Sequence, residues 1–156
     1  MDHNEIILHI KTFLVDHYQM VIATNGEYPW IATVYFSFDE ALNLYFLSDP
    51  NTTHCKHITG NSNVSIAIAT SPQNPAIKKK GLQLFGVVEQ ISDKHKITHA
   101  LNLWRKTLGV TSDLYTYEGM MKNAIKGRMY KVTPRKMKYF NEELWEEGSE
   151  PMIDFL

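Results

Sequence analysis

The chain has 156 residues, one cysteine, a formal net charge of −1 and a pI near 6.6. A hydrophobic share of 44% with 12% aromatics predicts one folded domain over residues 1–156 rather than a disordered chain. A single cysteine excludes an intrachain disulfide framework and a multi-cysteine zinc site, and the near-neutral balance argues against a dedicated nucleic-acid binder.

In chain order, Asp2 with Glu5 three residues later fits a capping box that opens a helix. Ile6, Ile10, Phe13 and Leu14 recur at helical spacing behind it. Acidic residues here, with no basic leader, give no secretory signal, and no apolar run approaches the roughly 20 residues of a bilayer span. The expectation is a soluble, cytoplasmic protein with no membrane partner. Met20–Thr24 is a short strand, closed by the turn pair Asn25-Gly26. From Trp30 to Phe38 the chain alternates with period two. Trp30, Ala32, Val34, Phe36 and Phe38 share one face; Ile31, Thr33, Tyr35 and Ser37 share the other. A turn at Asp39–Leu42 leads to Leu44–Ser48, so the two runs read as a hairpin.

Asp49-Pro50-Asn51 ends that strand, and Thr52–Ile58 reads as a short helix stopped by Gly60 and Asn61. Val64–Ala69 is a strand, Ser71–Pro75 a loop with two prolines, and Gly81–Ile91 a long strand. Asp93 opens a second helix with Ile97, Ala100, Leu101 and Trp104 on one stripe, ended by Gly109. Residues 111–123 read either as another helix or as an irregular connection. Arg128–Phe140 is a strand pair or one long bent strand, with Pro134 near the bend, and an acidic tail starts at Asn141. Clustered strands with flanking helices predict an α+β fold built on a small antiparallel barrel.

The sequence has no P-loop, no G-x-G-x-x-G after a strand and no G-x-S-x-G elbow. His95 and His99 stand at i, i+4, and His54 and His57 at i, i+3, but neither pair has a clear third ligand. A solvated helix face explains the first pair without a metal. Cys55 reads as a half-buried structural thiol. Seven bases fall between Lys122 and Lys138 with no acid among them, followed by six acids between Glu142 and Asp154 with no base. That pattern is either a solvated strand face screened by the tail or an anion-attracting rim, to which Lys78, Lys79 and Lys80 could add.

One succession is more specific. It runs from Tyr28-Pro29-Trp30-Ile31-Ala32-Thr33-Val34-Tyr35-Phe36 through Leu44–Ser48 to Thr52-Thr53-His54-Cys55-Lys56-His57-Ile58, then Asn61–Ala69 and Gly81-Leu82-Gln83-Leu84-Phe85-Gly86. In order and spacing it resembles the pyridoxamine 5′-phosphate oxidase-like family of FMN-binding split barrels, over roughly residues 5–92 and more loosely Gly127–Phe140. The resemblance implies a six-stranded antiparallel split β-barrel with flanking helices. It also implies a homodimer with FMN in clefts between the subunits, and an oxidoreductase acting on an unidentified small molecule. Carried over, Thr33, Val34 and Tyr35 would lie along the isoalloxazine, with Leu47 and Ser48 beside the ribityl chain and ring. Thr52, Thr53 and His54 would face the phosphate, and Lys80 and Gln83 would help complete the cleft.

The physical logic is consistent with that assignment. Strand backbone groups can match a flavin's pyrimidine edge without special side chains. Hydroxyls, an imidazole and N–H groups at a helix start suit a phosphate, whose charge would favour a protonated histidine. The chain departs from the family where Thr53 replaces a usual arginine, which removes a bidentate phosphate contact unless Lys56 or Lys80 substitutes. The alternatives are an ordinary N-cap at Thr52–His54, a solvent-facing Gln83, and a flavin- or haem-binding protein without turnover.

Overall fold

The computed structural model describes residues 1–70 and 73–155; of the expected Ser71–Pro75 loop, Ser71 and Pro72 lie outside the described residues. The elements are α1 (His3–Val15), β1 (Gln19–Asn25), β2 (Pro29–Phe38), β3 (Leu44–Ser48), α2 (Thr53–Gly60), β4 (Asn63–Ala69), β5 (Lys80–Gln90), α3 (Lys94–Leu108), α4 (Tyr117–Met121), β6 (Arg128–Asn141) and β7 (Met152–Asp154).

The strands follow the order β3-β2-β1-β4-β5-β6-β7, all neighbours antiparallel, and β3 also pairs with β6. That last pairing closes β1–β6 into a six-stranded barrel with flanking helices, as the resemblance implies. Closure protects the strand edges that an open sheet would leave unpaired. The β2–β3 hairpin forms in the expected place, with Phe36 opposite Phe46.

Period-two alternation decides which way the barrel faces. Ile22, Phe36, Leu44, Phe46, Ile66, Leu82 and Val132 turn inward. The expected α1 stripe of Ile6, Ile10, Phe13 and Leu14 packs onto the same core. The Asp2 carboxylate accepts the Glu5 N–H while Glu5 accepts the Asp2 N–H, a complete capping box. A second core lies outside the barrel wall. There Ile97, Ala100, Leu101 and Trp104 of α3 cover Tyr45, Ile91 and Met129. Gly109 ends α3 in the left-handed conformation, φ +68°.

The two segments with open readings resolve. Residues 111–123 form a mostly irregular connection around the single short helix α4. Arg128–Asn141 is one long bent strand, and its register against β5 shifts beside Gly86 and Pro134, because proline has no N–H for the ladder. The tail is more than a solvated acidic run. Ile153 is buried in the core, β7 adds to β6, and four acids pair with lysines: Glu142 with Lys79, Glu143 with Lys80, Glu150 with Lys138 and Asp154 with Lys136. Of the two charge readings, screening of the basic strand by the tail describes Lys136 and Lys138, and the tail also pairs Lys79 and Lys80 at the start of β5. Among the described residues no helix is long and apolar enough to cross a membrane.

Candidate functional site

The corner between β3 and α2 gathers four of the expected residues, Ser48, Thr52, the half-buried Thr53 and His54. Asp49 builds it: its carboxylate accepts the Asn51 N–H at 2.8 Å and the Asn51 amide at 3.0 Å. The Asn51 N–H, aided by the nearby charges of Lys126 and Arg128, holds that carboxyl below the usual range. The Asp49 carbonyl accepts both the Thr52 N–H at 3.0 Å and the Thr52 hydroxyl at 2.7 Å. Thr52 therefore stands at the N-cap position of α2 without making the capping hydrogen bond. The N–H groups of the first turn are left with no side-chain cap.

His54 turns inward. Its Nε2 lies 2.6 Å from the Ser48 hydroxyl and 3.4 Å from that of Thr52. Burial is the larger cause holding its pKa below the ordinary histidine value, and the charge of His57 adds to it. The imidazole is neutral at pH 7. His57 was not among the expected site residues. Its Nδ1 lies 3.1 Å from the buried Thr24 hydroxyl, and the Tyr28 ring packs edge-on against it at 5.7 Å. Its ring occupies the space that a Cβ at Gly26 would need. The only sequence signal for this was the Asn25-Gly26 turn.

The remaining expected residues fall elsewhere on the barrel. Thr33 and Tyr35 face outward and are exposed, whereas Val34 is buried in the core and offers the outer surface only its backbone. Leu47 packs under the second core, and Gly127 approaches it too closely to admit a Cβ. Gln83 is exposed on the outer face of β5, in a groove of about 540 Å³ shared with Val21, Ile31, Ala67 and Lys138. Lys80 sits at the start of β5 and binds Glu143 at 2.7 Å. Ser48, Thr52, Thr53 and His54 thus come together; β5 flanks β6 as β3 does, but Ser48 stands across from Arg128 at the start of β6, whereas Gln83 and Lys80 stand across from Lys138 and Asn141 at its far end.

Cations are scarce at the corner. Arg128 stands directly across from Ser48 in the β3–β6 ladder. Its guanidinium, however, donates to the carbonyls of Ile125, Lys126 and Gly127 and to the Asn123 amide oxygen at 2.8 Å. It holds the turn into β6. Lys56 is exposed on α2, and Cys55 is buried in the barrel core. His95 and His99 line one hollow with Glu89 and Lys131. Among the described residues no group of three or more His, Cys, Asp or Glu side chains is placed to hold a metal.

Comparison with known proteins gives a family match. A family model described as Pyridoxamine 5′-phosphate oxidase matches residues 8–141. No curated protein matches the sequence. Among solved structures, a NimC/NimA family protein from Clostridium acetobutylicum is similar with a TM-score of 0.65 at 15% identity, covering 99% of this chain and 100% of that one. HutZ, a heme storage protein from Vibrio cholerae, has a TM-score of 0.67 at 15% identity, covering 82% of this chain and 89% of its own. ChuZ from Campylobacter jejuni has a TM-score of 0.75 at 13% identity, covering 99% of this chain and 61% of its own. At these identities the structures speak to the fold alone.

Proposed function

This chain belongs to the pyridoxamine 5′-phosphate oxidase family, and from that premise we propose that it is an FMN-binding oxidoreductase acting on a small molecule as a homodimer. The observation that carries the reading is the uncapped start of α2. Its first N–H groups lack a side-chain acceptor, and the hydroxyl of the half-buried Thr53 beside them makes no hydrogen bond to the described residues. Such a donor set suits a phosphate, which a helix start attracts through its N–H groups and dipole. In this reading the Thr53 hydroxyl and the N–H groups at the start of α2, those of Thr53 and His54, hold the phosphate; the Thr52 hydroxyl is committed to the Asp49 carbonyl, and the inward, neutral His54 imidazole against Ser48 is not the protonated phosphate contact expected from the sequence. Ser48 and Leu47 stand beside the ribityl chain, and Thr33, the Val34 backbone and Tyr35 border the ring. Gln83 and Lys80, distant in one chain, would reach a cleft from a partner copy. Bound flavin would supply electron transfer; the protein's part is to hold and orient it.

A second reading, flavin or haem binding without turnover, draws on the same corner. Arg128 is committed to four acceptors and Lys80 to Glu143, so neither is free to meet a phosphate. HutZ, a protein of the same fold, is a heme storage protein. The absorption spectrum of purified protein separates the readings. The proposal expects flavin bands near roughly 370 and 450 nm that NADPH or NADH bleaches and air restores. An intense haem band near roughly 400 nm, or flavin bands that no donor bleaches, would favour the second reading.

A further inference from the structure

A cavity of about 760 Å³ opens beside β2 at the C-terminal end of α3. Four aromatic side chains line it: Tyr18, Tyr35, Trp104 and Tyr115. Gln19 lies opposite Tyr35 in the β1–β2 ladder, and the Tyr18 carbonyl accepts the Phe36 N–H at 3.0 Å, so the two tyrosines are held as neighbours. Trp104 is the last buried residue of the α3 stripe, and its Nε1 donates to the Tyr35 carbonyl at 3.4 Å. Tyr115 stacks on Trp104 with ring centroids 5.9 Å apart at 28°. Gly109 turns the chain away at the mouth, and the space its Cβ would enter holds no atom within 4 Å.

The charge of the lining is one-sided. Lys106 is its charged member, and among the described residues no carboxylate lines it. Arg105 lies in the same helical turn and donates to the carbonyls of Val110 and Thr111 at 3.3 and 3.4 Å. Positive charge therefore covers the carbonyl end of α3, which would otherwise repel an anion. Tyr18 and Tyr35 leave 49% and 54% of their surface exposed, aromatic area open to a stacking ligand.

We propose that this cavity binds a flat aromatic carboxylate, its ring system against the tyrosine and tryptophan rings and its carboxylate toward Lys106. The inference rests on the flavin reading at one point: Tyr35 borders both, so the ligand would lie beside a bound flavin ring and is the substrate class of that site. Binding itself needs no flavin. The test is calorimetric titration of flavin-free protein with naphthoate and, in parallel, with naphthamide, its uncharged analogue of the same shape. Naphthoate is expected to bind more tightly than naphthamide by about 1.5- to fivefold, the worth of one exposed ion pair. Lys106→Gln, an exposed substitution, should remove that preference and leave naphthamide affinity unchanged. Tyr115→Leu should weaken both ligands by about two- to tenfold, the worth of one aromatic pair. Equal affinities for the wild type, a preference that survives Lys106→Gln, Tyr115→Leu binding both ligands as the wild type does, or no saturable binding would each overturn the proposal. Failure of the flavin reading would register separately, as absence of FMN binding to the same preparation.

Discussion

His54 keeps its imidazole neutral because burial disfavours the charged ring and His57 adds a like charge. The unfolded chain takes up a proton near the ordinary histidine pKa of 6.5, and the folded chain does so only at lower pH. This residue's contribution to stability is therefore complete above about pH 6.5. It falls as pH drops, by at most about 1.4 kcal/mol per pH unit, and levels off once the folded ring is protonated. Urea unfolding between about pH 7.5 and 5 should show a shallower decline for His54→Gln than for the wild type; parallel declines would contradict the assignment. The residue types at this corner were legible in the sequence, because threonines before a short helix mark its start. The direction of their side chains was not. Thr52 turns its hydroxyl onto Asp49 because the Asp49–Asn51 turn brings that carbonyl within reach, a consequence of turn geometry that no spacing rule encodes.

The glycines of Gly81-Leu82-Gln83-Leu84-Phe85-Gly86 acquire a physical reason at the level of strands. A Cβ at Gly86 would meet the Thr133 carbonyl oxygen at 2.8 Å, where β6 bends around Pro134, and one at Gly81 would collide with the Phe140 ring. Backbone cannot yield as a side chain can. Gly86→Ala should therefore cost roughly 1–3 kcal/mol in chemical denaturation, and a neutral result would show that the bend relaxes freely. The strands and both long helices were legible because alternation, the 3.6-residue period and the Asp2–Glu5 box agree with one another. β7 was not. Three residues inside an acidic run carry no periodic signal, and charge composition suggested solvent. The structure instead buries Ile153 and holds the tail through lysine pairs. Ile153→Ala should cost roughly 2–4 kcal/mol, as for other buried aliphatic truncations. A loss below about 0.5 kcal/mol, the scale of surface substitutions, would mean that the tail is only loosely attached.

Across the whole molecule, the closed barrel leaves apolar side chains on its outer wall. Ile31 is 66% exposed, and Val21, Phe85 and Met152 line the same outer groove. Exposed apolar area of this kind favours association, which is the physical basis of the proposed homodimer. Light scattering at micromolar concentration should give the mass of two chains for the wild type and of one chain for Ile31→Glu. A wild-type monomer would contradict the homodimer. The fold was legible through the order of its segments, since each short motif is weak alone and their succession is specific. The cofactor was less so, because Thr53 stands where the family usually places arginine and the structure commits Arg128 to its own turn. The central claim is that the α2 start binds the phosphate of a flavin. It is tested most directly by titrating flavin-free protein with FMN and with riboflavin, which lacks the phosphate, and following quenching of flavin fluorescence. The account predicts saturable FMN binding, tighter than riboflavin by at least about tenfold, the worth of one charge-assisted phosphate contact. Equal affinity for the two, or binding of neither, would contradict it.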